Sequence, residues 1–279
     1  MGYVSGLLRE TGIRTVGLRE TVDAAFGGNL PEPNEKHLTL LRQEVVSRQA
    51  TMGLANDGDA DRFGVVDEAG RFIPPNEVLV LLAYHLVNNR KLSGKIVRTV
   101  ATTHLLDRVA AAYGLELVET PVGFKYIGEQ MLLGDVLLGG EESGGASILG
   151  HIPEKDGVLI NLLIAELCAW EGKPLGKILR DVQDQFGELF STRIDISLTR
   201  KEDLLQKLLD QPPLQVGPYA VQDINQLDGR KLLLEEGHWV LIRPSGTEPL
   251  VRIYCEATNL LALEKIKEAI RDWFMEIRV

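Results

Sequence analysis

Strand and helix patterns alternate regularly between residues 76 and 139, an order that few folds accommodate. Apolar residues recur at helical spacing in three segments, and short apolar runs typical of buried strands separate them. The predicted helices are 76–89, 103–113 and 124–132, and the predicted strands are 95–100, 115–119 and 136–139. Because parallel strands need a crossover connection, which is usually a helix, this order predicts a largely parallel sheet covered by helices.

The segment before residue 76 shows the same mixture of elements. We expect a short amphipathic helix, a strand, a second helix after a proline-rich break, and two strands on either side of an acidic loop, at 3–9, 13–18, 38–45, 51–56 and 63–67. Residues 68–70 form a predicted turn at a domain edge. The sequence therefore predicts one α/β domain at residues 1–69 and a second at 70–189, both with mostly parallel sheets.

The pattern changes near residue 191, where strands outnumber helices. The predicted strands are 193–198, 216–221, 231–234 and 239–242, and the predicted helices are 201–209 and one that begins at residue 260. Residues 190–279 are therefore expected to form a small α+β domain. The fold class predicted for the whole chain is α/β, with two α/β domains and this C-terminal α+β domain.

Composition narrows the function. At 279 residues, 44% apolar and 25% charged, the chain is expected to form two or three domains of a soluble globular protein. A net charge of −10 without a cluster of Lys and Arg argues against nucleic acid as a partner. No apolar run reaches the roughly 18 residues needed to span a bilayer, and no signal-peptide pattern follows Met1. We therefore expect a cytoplasmic enzyme, with Cys168 and Cys255 buried rather than in a disulfide or zinc site.

An acidic loop at residues 57–62 (DGDADR) lies between two predicted strands. Its three carboxylates repel one another unless a cation lies among them, and Mg²⁺ prefers oxygen ligands of this kind. Arg62 adds a planar cation able to hold a phosphate oxygen bidentately. The pattern predicts a metal site with phosphate chemistry at Asp57, Asp59 and Asp61.

The same acidic loop is compatible with two other structures. In an EF-hand loop the three Asp residues would occupy the first, third and fifth positions, and Glu68 the twelfth. The sixth position of such a loop requires Gly but holds Arg62 here, and strands flank the loop instead of helices. A solvated acidic turn without a metal is the remaining alternative.

Three further segments carry polar groups suited to a phosphorylated sugar. Residues 140–145 (GEESGG) follow a buried strand, residues 120–125 (TPVGFK) contain a fixed turn, and Lys155 precedes a long helix. Each has an ordinary alternative: a solvated turn, a core position for Phe124, and a solvated lysine with Asp156 as a helix N-cap.

A glycine-containing turn at residues 243–249 (RPSGTEP) joins two apolar strands. Its backbone N–H groups, two hydroxyls and Arg243 can surround a phosphate. Arg252 lies on the following strand and is expected to point the same way.

These motifs, in this order, resemble those of the α-D-phosphohexomutase superfamily, which contains phosphoglucomutases and phosphomannomutases. The resemblance covers nearly all of the chain and implies the second, third and fourth domains of a four-domain enzyme whose active site lies in the cleft between domains. It implies hexose phosphate as substrate, Mg²⁺ as cofactor and glucose 1,6-bisphosphate as activator of the intact enzyme. The residues implied are Arg62 and Lys155 as catalytic residues; Gly123, Phe124, Lys125, Glu141, Ser143, Arg243, Ser245, Gly246, Thr247 and Arg252 as substrate-binding residues; and Asp57, Asp59 and Asp61 as metal ligands.

The chemistry implied by the resemblance is an isomerase reaction run as a phosphotransferase relay, in which a phosphoserine exchanges phosphoryl groups with a hexose phosphate through a bisphosphate. The family carries that serine in a T-x-S-H-N-P-like loop of the first domain. No serine in this sequence precedes His-Asn. We therefore expect a piece of a phosphohexomutase that is inactive alone. A non-catalytic phosphosugar- or metal-binding module is the alternative. Self-association through the face left by a missing first domain is also expected.

Overall fold

The computed structural model describes residues 2–197, 211–245 and 248–277, with side chains as far as residue 274. The chain divides into two compact units. The first comprises Met1–Thr102, Leu106–Glu119 and Gly123–Gly187, and the second comprises Thr103–Leu105, Thr120–Val122 and Glu188–Val279. This division does not test the three predicted domain ranges, which stay a prediction.

The first part of the chain contains two helices and a three-stranded sheet. The elements are α1 (Tyr3–Glu10), a 3₁₀ turn (Phe26–Gly28), α2 (Thr39–Ser47), β1 (Met52–Asn56), β2 (Phe63–Asp67) and β3 (Phe72–Ile73). The strands are adjacent in the order β1-β2-β3, and both pairs are antiparallel. The α/β class is confirmed, but this sheet differs from the mostly parallel one expected at residues 1–69. The connections are too short for the crossover that parallel strands need.

The predicted strand at residues 13–18 was wrong, because the chain there has no regular secondary structure. A strand is stabilised by pairing with a neighbour, and no described strand pairs with this segment. Ile13 and Val16 are 41% and 58% exposed, so the segment also lacks the burial that favours a strand.

The following part of the first unit has a four-stranded sheet with helices on both faces. The elements are α3 (Pro75–Tyr84) with a π turn (His85–Asn89), β4 (Lys95–Thr99), α4 (Leu105–Tyr113), β5 (Leu117–Thr120), α5 (Phe124–Leu132), β6 (Val136–Gly140), β7 (Ala146–Ile148), α6 (Gly157–Glu171) and α7 (Leu175–Phe186). The sheet order is β5-β4-β6-β7. Strands β4 and β6 are parallel, as predicted, and β7 is antiparallel to β6.

Adjacent glycines on β6 let helices approach both faces of this sheet. A Cβ at Gly139 would collide with Ile127 of α5, and a Cβ at Gly140 would collide with Leu79 of α3. Since neighbouring residues of a strand face opposite sides, α5 and α3 cover opposite faces. The loop after β6 therefore begins at the end of a strand that helices cover on both faces.

The second unit is built on an antiparallel sheet of six strands. Its elements are β8 (Phe190–Ser197), β9 (Gln215–Val216), β10 (Tyr219–Asn225), β11 (Arg230–Leu234), a 3₁₀ turn (Glu235–Gly237), β12 (Trp239–Pro244), β13 (Leu250–Ala257) and α8 (Leu260–Ile277). The sheet order is β8-β13-β12-β11-β10-β9. Helix α8 packs on it through Ala262, Leu263, Ile266 and Ile270. The predicted α+β arrangement is confirmed, whereas the predicted helix at 201–209 lies outside the described residues.

A turn at Gly217 divides the segment predicted as one strand at 216–221 into β9 and β10. Gly217 has a φ of +58°, a left-handed conformation that glycine adopts without strain.

Elsewhere in the described part of the chain, Cys168 and Cys255 are buried and free, as predicted. None of the described helices has the length and hydrophobicity needed to cross a membrane.

Candidate functional site

The loop between β1 and β2 brings the three predicted metal ligands together. One carboxylate oxygen from each of Asp57, Asp59 and Asp61 lies within 4.8 Å of the other two. Ala60 has a φ of +64°, so the loop turns sharply between the second and third carboxylates. The Oδ1 atom of Asp61 is buried and has no hydrogen-bond partner in the described part of the chain. A cluster of hard oxygen donors with an unsatisfied buried acceptor fits a divalent cation such as Mg²⁺.

Two asparagines that the sequence interpretation missed close the base of this loop. The Asn56 side chain donates to the carbonyl of Arg62 across the loop at 2.9 Å. Asn161 of α6 is fully buried and donates to the Ala55 carbonyl at 2.8 Å and to Asn56 Oδ1 at 3.2 Å. The sequence contained one signal for this contact, since Asn161 is a polar residue inside the apolar run of α6. A buried amide is nearly always hydrogen-bonded, so a partner for Asn161 could have been expected.

Arg62 and Lys155, the two predicted catalytic residues, both lie beside the acidic cluster. Lys155 Nζ is 2.6 Å from Asp61 Oδ2. Arg62 Nε is 3.5 Å from Asp57 Oδ2 and 3.8 Å from Asp61 Oδ1. The N–H of Gly157 donates to the Ala60 carbonyl at 3.1 Å, which ties the Lys155 segment to the acidic loop. The fold thus brings together Arg62 and Lys155, which are 93 residues apart in the sequence.

The pKa values of Asp57, Asp61 and Lys155 are shifted because these groups are partly buried and lie close to one another. Burial raises the pKa of Asp57 to about 6, opposed by the N–H of Arg62 and reinforced by Asp61 and Asp59. Burial also acts to raise the pKa of Asp61, but hydrogen bonds from Lys155 and Asp57 outweigh it, and the pKa is lowered. For Lys155, the bond to Asp61 outweighs burial and raises the pKa. Asp61 and Lys155 are therefore an ion pair near neutral pH.

The predicted sugar-binding loop after β6 lies against the acidic loop. Arg62 and Gly145 form an isolated antiparallel bridge, and the N–H of Phe63 donates to the Gly144 carbonyl at 3.3 Å. The Ser143 hydroxyl donates to Glu141 Oε1 at 2.7 Å. Burial raises the pKa of Glu141, which is only 8% exposed, although Ser143 opposes the shift.

Glycine at position 145 makes room for two of the predicted site residues. A Cβ there would lie 2.8 Å from Lys155 Cδ and 3.0 Å from Glu141 Oε1. The lysine and the glutamate therefore flank Gly145 at close range. The first unit thus gathers Asp57, Asp59, Asp61, Arg62, Glu141, Ser143 and Lys155 in one region.

A cavity of about 390 Å³ opens beside the acidic loop. It is lined by Leu30, Pro31, Glu32, Asp57, Gly58, Asp59 and Arg62. The N–H of Gly58 donates to the Pro31 carbonyl at 3.2 Å, so the proline-rich segment forms the opposite wall. This wall was not predicted, and it gives the acidic loop a concave approach suited to a small molecule.

The TPVGFK segment is divided by the start of α5. Gly123 immediately precedes the helix with a φ of +130°, a conformation that other residues rarely adopt. Phe124 is 7% exposed and packs with Val97, Ile127 and Val136, so the structure favours the core alternative for this residue. Lys125 is exposed, and its Nζ lies 4.6 Å from the centroid of the Tyr126 ring.

The predicted phosphate-binding arginines face one another in the second unit. Arg243 of β12 and Arg252 of β13 are directly paired across the two strands, so their side chains share one face of the sheet. Like charges in this arrangement are destabilising unless a counter-charge lies between or beside them. Arg243 Nε is 2.7 Å from Asp228 Oδ2, and Arg252 is 2.6 Å from Glu248 Oε2.

The turn after β12 is described only in part, since Gly246 and Thr247 lie outside the described residues. Ser245 is 2% exposed, and its hydroxyl accepts the N–H of Glu248 at 3.2 Å. Arg252 Nε is buried without a hydrogen-bond partner in the described part of the chain. Two arginines on one face with an unsatisfied buried donor form a surface suited to an anion.

Sequence comparison assigns almost the whole chain to known domain types. Models of the phosphoglucomutase/phosphomannomutase family match in order: alpha/beta/alpha domain II at residues 1–70, alpha/beta/alpha domain III at 74–186 and the C-terminal domain at 198–272. The chain belongs to the phosphoglucomutase/phosphomannomutase family.

Relatives with curated names agree with this assignment. A phosphoglucomutase/phosphomannomutase of Thermococcus kodakarensis is 33% identical over 253 residues, which are 91% of this chain and 53% of that protein. A phosphoglucosamine mutase of Caldicellulosiruptor bescii is 34% identical over 240 residues, or 86% of this chain and 50% of that protein. The chain thus spans about half the length of the curated relatives that it matches.

A solved structure from Thermus thermophilus, which carries the name phosphomannomutase, superposes with a TM-score of 0.82. It is 36% identical and covers 98% of this chain and 58% of that one.

Proposed function

We propose that this chain carries the metal, sugar and phosphate-binding parts of a phosphohexomutase. The parent activity would interconvert a hexose 1-phosphate and a hexose 6-phosphate, with glucose or mannose as the sugar, through a phosphoserine relay and a bisphosphate intermediate. The single observation that carries the proposal is the acidic cluster with Lys155 and Arg62 at its side, in a chain of this family. No serine among the 279 residues is followed by His-Asn, so the relay would require a serine that this sequence does not supply.

The three aspartates are the residues that would hold Mg²⁺. Magnesium bound by these oxygens supplies positive charge that balances the charge developing on a transferred phosphoryl group. The arrangement of the carboxylates supports this role because their oxygens are already gathered in the folded chain. Asn56 and Asn161 would keep the loop in this shape before any ligand arrives.

Arg62 and Lys155 would act on the phosphate and on proton movement. The backbone N–H of Arg62 donates to Asp57 Oδ1 at 3.1 Å, but its guanidinium comes no closer to the carboxylates than 3.5 Å, through Nε. The side chain is 40% exposed, so its terminal nitrogens can reach a phosphate oxygen at the cavity. Lys155 is positively charged while paired with Asp61, and a ligand anion would compete with that carboxylate for it. Both cations would therefore stabilise a phosphoryl group most strongly in the state in which it carries the most negative charge.

Glu141 and Ser143 would orient the sugar. A buried carboxylate bonded to one hydroxyl retains acceptor capacity for a second, so Glu141 can accept a sugar hydroxyl when Ser143 turns toward the ligand. Arg243 and Arg252 would hold the phosphate that is not transferred. Their shared face and the repulsion between them support that role, because a bound dianion would relieve the repulsion.

Turnover by the isolated chain is the first test. The purified chain, supplied with Mg²⁺ and a trace of glucose 1,6-bisphosphate, should not convert glucose 1-phosphate to glucose 6-phosphate, because it contains no Ser-His-Asn segment. It should nevertheless bind glucose 6-phosphate in calorimetry. Binding without turnover, together with activity of a version extended by a family first domain, would support the proposal. Turnover by the chain alone would contradict the assignment of the serine to another segment. An extended version that binds without turnover would favour the non-catalytic module.

Competing substrates would define the sugar. Because curated relatives include phosphoglucosamine mutases as well as phosphoglucomutase/phosphomannomutases, glucose 6-phosphate, mannose 6-phosphate and glucosamine 6-phosphate should be compared in the same titration. The tightest binder identifies the preferred sugar. Equal binding of all three would place the discrimination outside this chain.

Replacement of Arg243 by alanine tests the phosphate contact. Loss of a charge-assisted bidentate pair should weaken glucose 6-phosphate binding by about tenfold. Arg48→Ala, at an arginine directly after α2 that is 53% exposed and paired with Glu44, is the matched control and should bind normally. An unaltered dissociation constant for Arg243→Ala would mean that the phosphate binds elsewhere.

A further inference from the structure

We propose that Asp228 is a positioning residue that fixes the guanidinium of Arg243 for anion binding. The inference rests on the proposed function, in which Arg243 holds the non-transferred phosphate. Asp228 lies in the turn between β10 and β11, fifteen residues before Arg243, and carries no motif that would single it out in the sequence.

One oxygen of Asp228 is bonded from two directions. Its Oδ2 accepts Arg243 Nε at 2.7 Å and the backbone N–H of Val122 at 3.0 Å, and Val122 belongs to the same unit. The side chains of Arg243 and Asp228 are only 17% and 22% exposed. A carboxylate held by a backbone donor and shielded from solvent is a fixed anchor, unlike a surface partner that exchanges freely with water.

The backbone beside Asp228 is fixed against the strand that carries Arg243. Gly229 has a φ of +88°, and a Cβ there would lie 2.5 Å from the Ile242 carbonyl oxygen and 3.1 Å from Arg243 Cα. The turn therefore packs directly on β12 at a position that only glycine can occupy. This contact sets the separation between the carboxylate and the guanidinium.

The anchor uses only one edge of the guanidinium. Nε donates to Asp228, while the two terminal nitrogens of Arg243 have no hydrogen-bond acceptor within the described ranges. These nitrogens form the fork that binds a phosphate oxygen pair. Asp228 also supplies a negative charge beside two facing arginines, which keeps Arg243 in place despite repulsion from Arg252.

Two effects of Asp228 on anion binding have opposite signs. Its charge repels a phosphate, so electrostatics alone predicts tighter binding when the carboxylate is removed. Its anchoring restricts Arg243 to one orientation, so loss of the anchor predicts weaker binding. We expect the loss of anchoring to outweigh the loss of repulsion, because the carboxylate is bonded to the arginine while a ligand would meet the opposite edge of the guanidinium.

The test is calorimetric titration of the full chain with glucose 6-phosphate and, separately, inorganic phosphate. Asp228→Ala should weaken binding by about fivefold, and Asp228→Asn, which keeps the shape and an acceptor for Val122, should fall between it and the parent chain. Asp223→Asn removes the same charge from an exposed site on β10 and should bind as the parent does. Unchanged or tighter binding by both Asp228 variants would overturn the proposal.

A double-mutant cycle separates positioning from general damage to the fold. In an Arg243→Ala background, Asp228→Ala should have no further effect on binding, because its influence passes through the arginine. The same fivefold loss in both backgrounds would show a purely structural role and overturn the proposal. If Arg243→Ala itself binds normally, the proposed phosphate site fails and this inference with it. If Arg243→Ala weakens binding but Asp228→Ala does not, this inference alone fails. Asp228→Asn keeps the test valid if Asp228→Ala does not fold.

Discussion

Asp57, Asp59 and Asp61 show how individual residues acquire unusual properties from their neighbours. Asp59 is exposed, whereas Asp57 and Asp61 are half-buried and carry pKa values shifted in opposite directions. Burial accounts for the raised value, and the ion pair with Lys155 accounts for the lowered one.

Replacement of Asp59 by asparagine should weaken Mg²⁺ binding by about tenfold or more, because a neutral amide is a poorer ligand for a hard cation than a carboxylate. Calorimetric titration with MgCl₂ measures the change. Asp184→Asn, at an exposed position of α7, removes the same charge away from the cluster and should bind Mg²⁺ as the parent chain does. Equal affinity of the parent and Asp59→Asn would remove Asp59 from the ligand set.

At the level of secondary-structure elements, α6 supports the acidic loop through its first two turns. Gly157 is the first residue of the helix, after the Asp156 N-cap that accepts the Leu159 N–H at 2.9 Å. One turn later, Asn161 bonds to the end of β1. The N-terminal half of one helix therefore fixes both ends of the predicted metal loop.

Gly157→Ala should disturb this contact, because the added Cβ would collide with the carbonyl of Arg62. We expect a loss of about 2 kcal/mol in the free energy of unfolding, typical of overpacking, together with weaker Mg²⁺ binding. Urea denaturation and calorimetry measure the two effects. Gly6→Ala in α1, where a Cβ meets no atom within 4 Å, is the helical control and should be neutral or slightly stabilising. Indistinguishable behaviour of the two variants would show that the close approach at α6 has no consequence.

The π turn that ends α3 carries a buried histidine. His85 is fully buried, its Nδ1 is 3.1 Å from Asn89 Nδ2, and its Nε2 is 3.5 Å from Glu166. Burial lowers the pKa of His85, with Glu166 and Glu171 opposing the shift and Arg90 reinforcing it. The folded chain therefore holds this ring in its neutral form, at a helical irregularity that separates α3 from the loop to β4.

This histidine should make stability depend on pH. The unfolded chain takes up a proton near the ordinary value of 6.5 and the folded chain does so only at lower pH, so the contribution is complete above 6.5 and is lost as pH falls. Denaturation at pH 7.5 and 5.5 should show a smaller pH effect for His85→Asn, which keeps a partner for Asn89. An identical pH effect in the two chains would contradict the assignment to His85.

On the scale of the whole molecule, the predicted metal and phosphate sites belong to different units. The acidic cluster lies on a three-stranded sheet supported by α2 and α6, whereas the paired arginines lie on the six-stranded sheet. Each site therefore depends on its own core. The self-association expected from the sequence stays a prediction, and Tyr3, Val22 and Leu30 are 71%, 89% and 66% exposed in the isolated chain.

A cavity in the core of the second unit should leave the metal site intact. Ile253 is fully buried on β13, and Ile253→Ala should cost about 3 kcal/mol of unfolding free energy. Mg²⁺ affinity should stay at the parent value while the chain remains folded. Val65→Ala, at a fully buried residue of β2 just after the acidic loop, is the informative comparison and should weaken Mg²⁺ binding as well as stability. Equal loss of Mg²⁺ binding in both variants would mean that the units do not behave separately.

The sequence by itself determined the features that depend on local pattern. Elements such as β2 and α5 were predicted with their observed bounds, because a short continuous apolar run predicts a buried strand and apolar residues at a period of 3.6 predict a helix. The acidic loop could also be predicted as a metal site, since three carboxylates on a short turn between strands have few stable environments. The alternation of strands and helices also identified the parallel pair β4 and β6.

The tertiary structure decided what depends on contacts between distant residues. The strand expected at 13–18 had a suitable local pattern but no partner, and the pairing of β1, β2 and β3 was antiparallel because their connections are short. The Asp228–Arg243 pair and the Asn161 contact with the acidic loop join residues that no sequence spacing relates. Hydrogen bonds and ion pairs act over a few ångströms in space, and only the folded chain determines which side chains come within that range.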